Sequence, residues 1–167
     1  MYNNFYLKDI INKDLVCLQT AETIGKIQGI NFDNTLKPKN LYIKNKSENT
    51  TVYLDIKDIY SLSDVVVFEY SKSIKNIWNT LHTRHNCPID ANIYDQNGTF
   101  SGKLNDIIIY NHRTVGLNIT GKHLKDFEIL SVSKDTIIIN TSDKKISLEE
   151  KFDLLEKIEK PNLVTLD

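Results

Sequence analysis

The sequence repeats itself, and any fold it adopts must accommodate one unit twice. In the first copy Leu15-Val16-Cys17-Leu18 runs into a polar turn, followed by Ile24-Gly25-Lys26-Ile27-Gln28-Gly29-Ile30-Asn31-Phe32. In the second, residues 89–94 run into Asp95-Gln96-Asn97-Gly98, followed by Phe100-Ser101-Gly102-Lys103-Leu104-Asn105-Asp106-Ile107-Ile108-Ile109. The Gly-Lys-aliphatic step aligns Gly25 with Gly102. The ends of the copies correspond as well. Asp58-Ile59-Tyr60-Ser61-Leu62-Ser63-Asp64 precedes Val65-Val66-Val67-Phe68, and Glu128-Ile129-Leu130-Ser131-Val132-Ser133-Lys134-Asp135 precedes Thr136-Ile137-Ile138-Ile139. Two matches in the same order indicate a duplication.

The local chemistry of both copies is β. Val, Ile, Thr and Tyr cluster in runs of four to eight residues bounded by Asn, Asp, Gly and Ser. Asn97-Gly98 predicts a type I′ hairpin, which needs positive φ at its central residues. Lys46-Ser47-Glu48-Asn49 predicts a second hairpin, between Leu41-Tyr42-Ile43 and Val52-Tyr53-Leu54. Val52, Leu54 and Ile56 alternate with Thr51, Tyr53 and Asp55. Two segments read as helices. Ile74, Ile77, Trp78 and Leu81 form a helical stripe within residues 71–86. Ser147-Leu148-Glu149-Glu150 is a capping box, followed by Leu148, Phe152, Leu155 and Ile158 on one face and by Pro161.

Composition narrows the class. The 167 residues carry 21 basic and 22 acidic side chains, a net charge of −1, with 40% apolar and 26% charged residues. That balance is globular. It argues against a protein whose main task is gripping duplex DNA or long RNA by phosphate. No apolar run approaches the roughly 20 residues of a membrane span. No basic segment leading into an apolar one marks a signal peptide at the start. Cys17 and Cys87 are too few for a disulfide framework. The expectation is a soluble protein of the reducing cytoplasm.

The ordered motifs resemble the PRC-barrel family, specifically bacterial proteins with two such barrels in tandem. The first copy supplies Ile24-Gly25-Lys26-Ile27, Leu54-Asp55-Ile56, Asp58-Ile59-Tyr60-Ser61-Leu62 and Val65-Val66-Val67. The second supplies Gly102-Lys103-Leu104-Asn105-Asp106, Ile129-Leu130-Ser131-Val132 and Ile137-Ile138-Ile139. Ala21-Glu22 stands where the family often has Gly-Glu. The second copy is shorter between its Gly and its last strand, so its middle hairpin is expected to be trimmed. The resemblance implies a docking fold. Its members include the barrel of the photosynthetic reaction-centre H subunit and the C-terminal domain of the ribosome maturation factor RimM. It brings no catalytic residues.

Several clusters carry residues capable of chemistry. His82, His85 and Cys87 offer three metal-type ligands at close spacing, against a plainer reading as a polar linker. Cys17 lies in an apolar strand and reads as a small core residue. A nucleophilic Cys87 would need a lowered pKa and an oriented His85. Asp55 with Asp58, and Glu149 with Glu150, are paired carboxylates that solvated edges and a helix first turn explain. Gly25-Lys26 and Gly102-Lys103 are not phosphate loops, because a strand continues after each. Lys37, Lys39, Lys44 and Lys46 beside Tyr42 form a candidate RNA surface. Trp78 is a candidate interface anchor.

The expectation is an all-β protein of two tandem PRC-type barrels, at residues 1–70 and 87–142, with a helical linker at 71–86 and a C-terminal helix and tail at 143–167. The expected role is non-enzymatic: an adaptor that docks another protein, with no catalytic residue, cofactor or metal assigned, no DNA, and room for a homodimer. The alternative is a ribosome- or RNA-processing-associated factor.

Overall fold

The structure, a computed structural model, describes residues 4–76, 86–120, 127–141 and 163–165. Seven strands fall in the first part: β1 (Asn4–Tyr6), β2 (Asp14–Cys17), β3 (Thr23–Phe32), β4 (Pro38–Asn45), β5 (Thr51–Asp55), β6 (Ile59–Leu62) and β7 (Val66–Phe68). One helical turn, Leu7–Ile10, follows β1. The second part holds β8 (Asn92–Tyr94), β9 (Phe100–Tyr110), β10 (Arg113–Thr120), β11 (Glu128–Val132), β12 (Thr136–Asn140) and β13 (Leu163–Thr165). The protein is predominantly β, and these strands make two sheets. The first has the order β5-β4-β3-β2-β7-β6. The second has the order β11-β12-β8-β9-β10-β13, with β1 also pairing to β9.

The repeat is reproduced in strand pairing. β2 runs parallel to β7 with Leu15 opposite Val66, and β8 runs parallel to β12 with Ile93 opposite Ile137. Three register shifts recur at matching places. The ladder slips between Ile27 and Gly29, and between Leu104 and Asp106. It slips between Leu15 and Val16, and between Ile93 and Tyr94. It slips between Ile59 and Ser61, and between Ile129 and Ser131. Such bulges add twist and bend a strand, so each sheet curves in the same way. Gly25 and Gly102 sit where two backbones approach closely. A Cβ on Gly25 would lie 1.8 Å from the Lys44 carbonyl oxygen, and one on Gly102 would lie 2.5 Å from that of Thr120.

The sheets share one core. Leu15, Ile27, Ile30, Leu41, Leu54 and Phe68 from the first belong to the same apolar cluster as Ile93, Leu104, Ile107, Leu117, Ile137 and Ile139 from the second. The segment that enters each repeat crosses to the long strand of the other. Asn4, Phe5 and Tyr6 pair with Tyr110, Ile109 and Ile108 on β9, and the Lys8 amide donates to Asp106 Oδ1 at 3.0 Å. In the reverse direction, the Phe32 amide donates to Asn86 Oδ1 at 2.8 Å, and the Asn86 amide donates to Asn31 Oδ1 at 3.1 Å. Residues 4–6, within the expected first unit, are therefore strand partners of the second sheet.

Some local expectations need correction. The helix at 71–86 does not begin as one. Ser71–Ser73 is a single 3-10 turn, and Lys75 then exchanges two backbone hydrogen bonds with Tyr53 on the edge of β5. The exposed edge offers Lys75 partners that a helix would deny it. Residues 77–85 of that stretch lie outside the described residues, as does the expected helix over residues 147–160. Asn97-Gly98 is not a type I′ pair, because only Gly98 has positive φ, at 81°. The Asp95 carboxylate accepts the Asn97 and Thr99 amides, and the Asp95 carbonyl accepts Gly98 N–H, which makes a longer turn. The two-residue turn with both φ positive is Asn111-His112, between β9 and β10. The Lys46–Asn49 hairpin forms as expected, with Lys44 opposite Thr51.

The trimmed hairpin has a structural answer. Among the described residues of the second repeat, no strand that follows β10 directly in the chain matches β5. Its place beside β10 is taken by β13, with Leu117 opposite Val164.

Two left-handed residues show how packing outweighs backbone cost. Leu36 holds φ at 65° yet is fully buried. Left-handed backbone costs an L-residue about 1–2 kcal/mol, while burying a leucine returns about 1.5–3 kcal/mol, so the side chain decides. Ala21 holds φ at 59° on the surface with no such return. Ala21→Gly is expected to stabilise the fold by about 0.5 kcal/mol, the relief of strain exceeding the added unfolded-state entropy. Gly25→Ala is expected to destabilise by at least about 2 kcal/mol through the clash with backbone. Urea unfolding midpoints check both.

Candidate docking surface

Alternation along the strands separates core residues from an outer face. In β12 Ile137 and Ile139 are buried while Ile138 is exposed. Ile138 is directly opposite Tyr94 on β8, and Tyr94 is opposite Phe100 on β9. On the other side of Ile138, β11 places Ser131 directly opposite, and the exposed Leu130 stands beside it at the bulge. Phe100, Tyr94, Ile138 and Leu130 thus form a row across four adjacent strands. Phe100 is 51% exposed, Leu130 48% and Ile138 36%, so the row is accessible. Tyr94 and Phe100 meet edge to face at 5.8 Å between ring centroids, which holds the aromatic end of the row in shape.

The first sheet carries a related strip. The bulged position of β6 is Tyr60, the counterpart of Leu130, and Leu18 continues the outer side of β2; both are exposed. Val16 and Val67 lie opposite one another between them. Thr23 takes the position held by Phe100 in the second repeat. The second strip therefore has the larger aromatic content.

The other candidates fall elsewhere. Cys17 is fully buried, with its thiol directed at the Glu69 carbonyl oxygen at 3.7 Å, as its core reading expects. Cys87 lies in the polar seam between the repeats, hydrogen-bonded to the Tyr42 phenol. Burial pushes the Cys87 thiol up, and the Asp106 charge adds to this; backbone hydrogen bonds from Ile30 and Ile89 and the Tyr42 contact pull the other way without reversing it. A nucleophilic thiolate is disfavoured there. His82, His85 and Trp78 lie outside the described residues, as do Glu149 and Glu150. Among the described residues no group of His, Cys, Asp and Glu converges as metal ligands.

Asp55 and Asp58 flank one 3-10 turn, Ile56–Asp58, where the Asp55 carboxylate accepts the Lys57 amide. Partial burial, then the neighbouring Asp55 charge, pushes the Asp58 carboxyl up. The lysine surface loses its aromatic member, because Tyr42 is buried against Gly29 and its phenol is pushed up by burial and by Cys87. Lys39 is paired with Asp33 at 3.7 Å. Lys26 is paired with Asp14 at 3.2 Å on continuous strand, which agrees with reading Gly25-Lys26 as strand and not as a phosphate loop.

Sequence reasoning did not single out Asn86 or Asp106. Asp106 is buried, and one of its oxygens accepts both the Lys8 and the Ile107 amides. No protein-family model matches the chain, and no curated protein matches it.

The seam sets a pH response. Tyr6 is pushed from 10.0 up to about 12, first by burial and then by the negative charges of Asp106 and Asp9. Below pH 10 both folded and unfolded chains keep this phenol neutral. Between pH 10 and about 12 the unfolded chain loses the proton first, so stability falls as pH rises through that window. Tyr6→Phe is expected to flatten the alkaline slope of chemical stability, read from denaturation midpoints across pH 9 to about 12.

Proposed function

We propose that the chain is a non-enzymatic docking protein that binds another protein, and that its two repeats are PRC-type barrels. The observation that carries this reading is the apolar row Phe100–Tyr94–Ile138 on the outer face of the second sheet, extended by the bulge residue Leu130 next to Ser131, the register partner of Ile138. Charged residues would cost nothing at such solvent-facing positions. Large apolar side chains there gain only when something covers them. Covering one fully returns about 1.5–3 kcal/mol, so the row supplies several kcal/mol toward association before ordering costs are met.

The strand order shared by the two sheets, with matching bulges, supports the barrel reading. Curvature repeated at the same three places is what a strand set needs to wrap around a core. The mechanism is shape-complementary burial, with no bond made or broken. An apolar strip with an aromatic pair at one end suits a partner that presents an apolar patch of its own.

The test is a quantitative pull-down from the source cell with Ile138→Asp and Leu130→Asp introduced together. Both positions face outward, so the thermal melt is expected to stay within a few degrees of the original. Partner recovery is expected to drop at least about thirtyfold, corresponding to roughly 2 kcal/mol. Equal recovery by the doubly substituted chain and the original would sink the proposal.

A further inference from the structure

We infer that the edge of β10 is a strand-docking site that accepts β13 from a second copy of this chain as well as from its own. In the first sheet the equivalent slot is filled by β5, which a short turn ties to β4. That turn is closed by Asn45 N–H donating to the Thr50 carbonyl and Asn49 N–H donating to the Asn45 carbonyl. A strand so tied has no freedom to leave. In the second sheet the slot is filled by β13, which pairs Gly116 with Thr165, Leu117 with Val164 and Asn118 with Leu163.

Two features make this slot exchangeable. The pairing is short, three residues against the five of β5, so the pairing contributes little to holding β13 in its own chain. The tether is long: β12 ends at Asn140, and residues 141–162 separate it from β13. Twenty-two residues of chain can span at most roughly 75 Å, which is long enough to carry β13 to the slot of a second copy. A second copy at roughly millimolar concentration competes for the slot, because it offers the same strand to the same edge.

The need for an occupant is built into β10. Val115, Leu117 and Ile119 are buried residues of this strand, and a strand edge left unpaired there is a template for another chain. Reciprocal exchange gives each copy a filled slot, and the contact is isologous, so the assembly closes at two. This inference stands apart from the docking row, which lies on the outer face of β9, β8, β12 and β11.

The test uses the full chain. Copies labelled with ¹⁵N and copies labelled with ¹³C are mixed, refolded together at ~1 mM and examined by isotope-filtered NMR. Contacts between Gly116–Asn118 of one copy and Leu163–Thr165 of the other are expected. Light scattering is expected to give a dimer fraction rising from about one per cent at ~10 µM to tens of per cent at ~1 mM. Leu163→Pro and Val164→Pro are compared, since alternate amides of a strand face its neighbour and one of the two must break the ladder. At least one is expected to abolish the dimer while the first sheet keeps its amide protection. A chain that stays monomeric at ~1 mM with no intermolecular contacts overturns the inference, and so does a dimer that survives both substitutions.

Discussion

Everything else in this molecule depends on the exchange of entering segments between the repeats. Each long central strand, β3 or β9, receives at its far end the segment that leads into the other repeat. Residues 4–8 reach β9, and Asn86 reaches β3. The two sheets are thereby locked by backbone hydrogen bonds and buried side chains together. The apolar cluster runs through both repeats without a break. A unit of this size buries too little surface to be secure by itself, and the crossing supplies what each lacks.

The polar groups at the crossing are matched with care. Asp106 and Asn86 are short side chains that accept backbone amides arriving from the opposite repeat. A buried amide without such a partner costs about 1–3 kcal/mol, so these acceptors fix the mutual placement of the sheets. Tyr42 and Cys87 complete the seam with a neutral contact. Burial holds both groups in their protonated forms, which is why the seam tolerates them in a largely apolar setting.

Much of the β architecture was legible in the sequence because it rests on local signals. Alternation in Val52, Leu54 and Ile56 and the Asn-rich turns gave the strands and the β4–β5 hairpin. The repeat matched Gly25 with Gly102, and the structure shows what the match meant, a close approach of two backbones at each. The failures lie where a distant partner decides. Ile74 fits a helical stripe, yet the open edge at Tyr53 draws Lys75 into a bridge. Nothing in Leu163-Val164-Thr165 says that β10 is waiting for it. The docking row was hidden for another reason. Alternation from Ile129 turns Leu130 outward, but its place beside Ile138 and Tyr94 comes from pairing between β11, β12 and β8, which no local pattern shows. Asn86 and Asp106 looked like ordinary polar residues until the crossing placed them.

The position of β1 has a consequence for how the molecule is made. Apart from the β2–β7 pair, the first sheet joins strands that are neighbours in the chain, and such contacts form early. β1, in contrast, is synthesised long before β9, its sole strand partner among the described residues. Until β9 emerges, residues 4–6 lack the strand that they pair with. This segment therefore stays exposed while the residues between it and β9 are made, a window in which chaperones and neighbouring chains compete for it.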